Sequence, residues 1–227
     1  MYDHIYLNNN YIWGNDSLGH MEMVKTLTKM DFILFLEEQE VFLMIQLTER
    51  DKQIIQFLKE VSVADTKSLS IIFFNSGLRR CQQRLKLLCE YRYIKSFRED
   101  VHSQYIYYVG RKTKNWQHKI VFSQLLAKLY YKGINILKYK TPLKVNDVIA
   151  DGFIAINING VNKIYLVEVD ITKYFDLNKY MYLYFSDKWK EYFPVFPSIL
   201  AISNKRIDTN ETLDIKTCKL DLLDLTV

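Results

Sequence analysis

Asp151, in the run Ala150-Asp151-Gly152-Phe153, is followed across an Asn159-Gly160 pair by Tyr165-Leu166-Val167-Glu168-Val169-Asp170. An Asn-Gly pair between two apolar runs is a strong signal for a tight hairpin turn. A hairpin here brings acids at the ends of two neighbouring strands into one small volume. Carboxylates gathered in this way commonly hold a divalent metal, because oxygen ligands suit hard cations and unpaired acids repel one another. Glu168 and Asp170 stand two residues apart on a strand and therefore share a face.

A centre of Asp151, Glu168 and Asp170 would hold Mg²⁺ or Mn²⁺, polarise a scissile phosphate and lower the pKa of a bound water. These three residues are thus candidate metal ligands and candidate catalytic acids. Metal-dependent nucleases commonly add a lysine to offset the charge that develops. In the restriction-endonuclease-like arrangement, an aspartate on one strand is followed on the next by an acid, any residue and a lysine. Here the lysine's place holds Asp170, an anion that cannot take over a cation's role. Lys173 and Lys144 are the substitutes offered by sequence. His118 is a candidate ligand or base, although a lone histidine on a mostly apolar stripe is more often a hydrogen-bonded core residue.

The elements that must position these acids are legible from about Gly110 onward. Asn115 precedes a helix predicted over 116–132, with His118, Phe122, Leu125 and Leu129 along one side and Gly133 as its stop. A strand over 134–139 follows, then Pro142, then a hairpin of 148–158 with 163–169. A helix over 177–192 ends before Pro194 and Pro197, and a buried strand covers 198–203. Helix, three strands, helix and strand describe a small mixed sheet flanked by helices.

A second candidate function lies upstream. Thr48-Glu49-Arg50-Asp51 reads as an N-cap with an acid three residues on, ahead of Ile54, Leu58 and Val61 at helical spacing. Ser62-Val63-Ala64-Asp65 repeats that pattern before a short apolar helix. Asn75-Ser76-Gly77 turns into a third helix over 78–90, with Leu78, Cys81, Leu85 and Leu88 on one stripe and Arg79, Arg80, Gln82, Gln83, Arg84 and Lys86 elsewhere. Two strand-like runs, 93–97 and 104–109, flank a polar loop over 98–103 that carries both signs of charge.

Three short helices and a hairpin are the order of a winged helix, which offers its third helix to the DNA major groove. There arginine reaches guanine and glutamine reaches adenine. The six polar residues of the third helix are accordingly candidate DNA contacts. The same charges read alternatively as the solvated face of an amphipathic helix, and a winged helix serves also as a protein-docking module.

The chain has 227 residues, 49% of them hydrophobic and 25% charged, which suits one large or two small globular domains. A formal net charge of +5 is compatible with a polyanionic partner without requiring one. Three widely spaced cysteines, Cys81, Cys89 and Cys218, suggest neither a disulfide framework nor a zinc site, and fit a reducing cytoplasm. No apolar run approaches the length of a membrane helix. Seven glycines, with no phosphate-cradling glycine loop among them, argue against nucleotide-binding loops.

Leu47-Thr48-Glu49-Arg50-Asp51, the run 78–88, Trp116 to His118, Asp151-Gly152-Phe153, Val167-Glu168-Val169-Asp170 and the segment from Ile199 to Ser203 with Arg206 resemble, in that order, the replication-relaxation family of Gram-positive plasmids and integrative mobile elements. The resemblance covers residues 47 to 206. It implies an α+β protein with a winged helix-turn-helix domain at 46–110, a restriction-endonuclease-like α/β domain at 111–227 and an extension of unknown role at 1–45. It further implies a DNA-binding accessory protein in plasmid replication or DNA relaxation, with other replication or relaxation proteins as further partners; one short recognition helix, which needs two half-sites for tight specificity, separately suggests a homodimer on double-stranded DNA. The acid at 170 looks like a trait of that family, which makes cleavage doubtful. Met44, just ahead of the match, is a candidate translation start. The alternatives are a metal-dependent nuclease or nickase, and a regulator whose second domain serves dimerisation through Tyr180, Tyr182 and Tyr184.

Overall fold

In the computed structural model the chain divides into two compact units, Met1–Gln46 and Leu47–Val227. Residues 4–8, 11–15, 21–26, 45–172 and 174–227 are described. The first unit contains an antiparallel sheet of three strands, β1 (His4–Asn8), β2 (Tyr11–Asn15) and β3 (Met21–Thr26), in that order. Met44 and Lys173 lie outside the described residues, as does nearly all of the stretch from Asp31 to Gln46, expected to be a helix or two short strands.

The second unit is a mixed α+β structure. It opens with α1 (Glu49–Val61), started by the expected capping box: Thr48 Oγ accepts from Asp51 N, and Asp51 accepts from Thr48 N at 2.7 Å. Ser62 does not cap the next helix. It ends α1 with a left-handed φ of 73°, and the cap falls to Asp65, whose Oδ1 accepts from Ser68 N at 2.7 Å. A two-residue strand, β4 (Ala64–Asp65), therefore precedes α2 (Thr66–Phe74). Then comes α3 (Leu78–Glu90), which buries Cys81, Leu85 and Leu88 as its spacing predicts. Leu78, assigned to the same stripe, is instead 47% exposed at the helix start. Strands β5 (Lys95–Phe97) and β6 (Ile106–Tyr108) pair antiparallel, and β6 also pairs with β4, giving the order β4-β6-β5.

α4 (Trp116–Tyr131) packs on α2 as well as on the larger sheet, so the helices and that sheet belong to one compact unit. That sheet has the order β13-β12-β11-β10-β7, built from β7 (Asn135–Lys140), β10 (Gly152–Ile158), β11 (Val161–Asp170), β12 (Ser198–Ser203) and β13 (Ile215–Cys218). β7, β10 and β11 run antiparallel, whereas β11, β12 and β13 run parallel. The expected hairpin forms, with Asn159 and Gly160 at φ of 52° and 85° in its turn. Its first arm is shorter than expected. Residues 148–150 belong to β9 (Val148–Ala150), which pairs with β8 (Leu143–Val145) and breaks from β10 at Asp151.

The helix expected over 177–192 stops early. α5 (Leu177–Phe185) closes at Ser186, and a 3₁₀ turn, Lys188–Glu191, follows the left-handed Asp187. α5 sets Tyr180 and Leu183 into a core with Phe153, Leu166 and Ile199 on one face of the sheet. α4 covers the other face so closely that a Cβ on Gly152 would lie 2.0 Å from the Phe122 ring. The acids at 168 and 170 alternate with Val167 and Val169, and so share the α5 face with Leu166.

Candidate functional site

The polar face of α3 is fixed in phase by one residue that does not belong to it. Arg84 directs Nε to Asp51 Oδ1 at 2.8 Å, and its Nη2 donates to Oδ2 of the same carboxylate. Asp51 is fully buried, and Thr48 adds two further donors. Burial raises the carboxyl's pKa, but the hydrogen bonds from Arg84 and Thr48 outweigh it and hold the group below the usual aspartate value. Arg84, grouped by sequence with the DNA contacts, is thus an internal buttress between α3 and α1.

With Arg84 turned inward, Arg79, Arg80, Gln82, Gln83 and Lys86 are all exposed. Residues 79, 82, 83 and 86 follow the i, i+3, i+4, i+7 rule and form a single stripe, with Arg80 beside it. Lys86 stands 3.7 Å from Glu90 in a surface pair of the kind worth about 0.5 kcal/mol or less, too weak to withhold the lysine from a ligand. Leu78 and Leu87 are exposed on the same helix. The β5–β6 loop is organised by its own side chains: Asp100 accepts from His102 N at 2.7 Å and Ser103 N at 2.8 Å, while Arg98 lies over the Tyr105 ring and donates to Val101 O.

The acidic centre forms where the β10–β11 ladder ends. Its last pair is Gly152 with Val167, which leaves the next outward N–H of β11, that of Val169, to the Asp151 side chain at 2.9 Å. The same Oδ2 faces His118 Nδ1 at 3.1 Å, and Thr141 Oγ holds the Asp151 carbonyl at 2.7 Å. A carboxylate can only accept, so His118 Nδ1 carries the hydrogen. Both oxygens of Glu168 are engaged by α5: Oε1 by Lys179 Nζ at 2.7 Å and Oε2 by the Tyr180 hydroxyl at 2.6 Å. Asp170 is 7% exposed, and its Oδ2 is buried without a hydrogen-bond partner. Burial, reinforced by Glu168 and Asp151, pushes its carboxyl up to about 6. Burial lowers the nearby Lys119 ammonium, against the pull of Asp151.

Mg²⁺ keeps several waters and is held through one or two protein carboxylates that are open to it. Here both Glu168 oxygens and Asp151 Oδ2 are committed to protein donors, Lys179, Tyr180, Val169 N–H and His118. Among the described residues no three His, Cys, Asp or Glu side chains stand together in an arrangement that could hold a metal ion. The residues as arranged therefore do not fit Mg²⁺ or Mn²⁺. His118 reaches one of the three acids, Asp151. Lys144 is exposed on β8, and the ammonium that reaches Glu168 is Lys179, which the sequence did not single out. Of the aromatic strip Tyr180, Tyr182 and Tyr184, part of which must be core on a helix, Tyr180 is fully buried, Tyr184 packs edge-on against Phe196, and Tyr182 is exposed at 59%.

No protein-family model matches this chain, and no curated protein or solved structure matches it. Among the described residues no helix is long and apolar enough to cross a membrane.

Proposed function

We propose that this chain is a duplex-DNA-binding accessory protein that reads the major groove with α3 and touches the neighbouring backbone with the β5–β6 hairpin. The observation that carries this reading is the α3 stripe. Arg79, Gln82, Gln83 and Lys86, with Arg80 alongside, are exposed on one helix whose rotation is locked by the Arg84–Asp51 pair. The order α1, α2, α3, then a hairpin whose inner strand also pairs with β4, supports a winged-helix reading of this region. The two glutamines with one of the exposed arginines suit base edges, and the remaining exposed cations suit phosphates.

A single short recognition helix reads few base pairs, so tight specificity calls for a homodimer on a palindrome or a direct repeat. The sheet unit, proposed as a restriction-endonuclease-like fold without cleavage, then serves as mount and dimer scaffold. Action on the replication or relaxation of a mobile element, in the cytoplasm and beside other replication proteins, is the role that fits the resemblance.

A footprint on DNA from the element that encodes the chain tests the reading. Protection of a short site or a symmetric pair supports it, and uniform absence of protection at low salt rejects it. The rival reading is a metal-dependent nuclease using Asp151, Glu168 and Asp170. Supercoiled plasmid incubated with Mg²⁺ or Mn²⁺ separates the two: intact plasmid with retarded mobility favours the binder, and product lost in Asp151→Ala favours the enzyme.

A further inference from the structure

Two of the donors that engage the acidic centre, His118 and Lys179, occupy the same place in their helices. His118 is the third residue of α4, and Lys179 is the third of α5, where its own N–H is capped by Asp176 at 3.2 Å. The first turn of a helix exposes unpaired N–H groups and the positive end of the backbone dipole. Each of these two first turns thus sends a side-chain donor to the acids, His118 to Asp151 at 3.1 Å and Lys179 to Glu168 at 2.7 Å.

We propose that the acidic centre is a metal-independent clamp, in which Lys179 supplies the positive charge a divalent cation would otherwise give, His118 adds a hydrogen bond, and the two lock the first turns of α5 and α4 to β11 and Asp151. Tyr180 adds a second hold on Glu168, and Val169 N–H a second hold on Asp151. The inference goes beyond DNA recognition and is tested on the free protein, so its failure would leave the α3 reading untouched.

The test is thermal melting of the full chain in EDTA and in millimolar Mn²⁺, with a calorimetric Mn²⁺ titration beside it. Wild type is expected to melt at the same temperature in both and to give no saturable heat. Lys179→Met is expected to melt several degrees lower and to become stabilised by Mn²⁺, because Glu168 then lacks its cation. If that variant does not fold, Glu168→Gln, which keeps the shape and one acceptor, carries the same expectation of a lower melting temperature without a gain of Mn²⁺ response. Saturable Mn²⁺ stabilisation of wild type that disappears in Asp151→Asn overturns the proposal, as does a Lys179→Met protein that melts like wild type.

Discussion

Arg84→Ala tests whether the phase of α3 has been read correctly. The substitution withdraws a two-pronged guanidinium from a carboxylate that is fully buried and that also caps α1. Removing one partner of a buried ion pair costs about 3–5 kcal/mol, because the remaining charge stays desolvated. The Arg84 side chain is 25% exposed and Thr48 continues to donate to Asp51, so the lower end, about 3 kcal/mol, is the expectation. Against a whole-domain stability of about 5–15 kcal/mol this is a large loss, readable as a fall in urea midpoint at unchanged slope. The pH dependence must move with it. Asp51 is held below its ordinary value in the folded chain, so its stabilising contribution is present above the unfolded pKa of about 3.9 and is lost as pH falls through the folded one. Arg84→Ala should shrink that acid-side loss. Asp51→Asn with Arg84→Ala should cost less than the two single changes added together. An Arg84→Ala protein as stable as wild type but weakened in DNA binding would refute the assignment and return Arg84 to the DNA face.

Gly152→Ala forces a methyl against the Phe122 ring, where the present separation would be 2.0 Å. Overpacking of this kind costs about 1–3 kcal/mol, and chemical denaturation should show it. Asp170 predicts the opposite pH behaviour to Asp51. Its folded pKa, pushed up to about 6, exceeds the unfolded value, so stability should be greatest at the acid end of that window and fall as pH rises through it. The loss is up to about 3 kcal/mol, and Asp170→Asn should flatten the profile measured by urea denaturation between those pH values.

What could be read from the sequence was local. The Thr48–Asp51 box closes within three residues, the Asn159-Gly160 turn within two, and the Cys81, Leu85, Leu88 stripe needs only helical spacing. Each of these contacts is decided by neighbours along the chain. Asp51 and Arg84 lie 33 residues apart, and no periodicity links them. The first turn of α5 delivers Lys179 and Tyr180 to Glu168 only because the chain folds back over the sheet face that carries Phe153 and Leu166. From sequence, Tyr180 was one aromatic among several on a helix whose buried side was unknown. Apolar spacing continues through Trp189 and Tyr192 and predicts a longer helix, but the left-handed Asp187 interrupts it ahead of both. Ser62 and Asp65 are both good cap residues. The strand pairing of Ala64 and Asp65 with Ile106 and Tyr107 decides which one caps α2, and that pairing is non-local.

The most direct measurement of the central claim is binding of a fluorescent duplex across a salt series, comparing wild type with Arg79→Ala combined with Arg80→Ala. Both side chains are exposed on α3, and surface changes of this kind alter stability by no more than about 0.5 kcal/mol, so folding should be unaffected. If both arginines meet phosphates, the slope of log K against log salt should flatten by about 1.8, with weaker binding throughout; if one of them reads a base, by about half that. A folded double variant that binds with wild-type affinity and an unchanged slope would contradict the account.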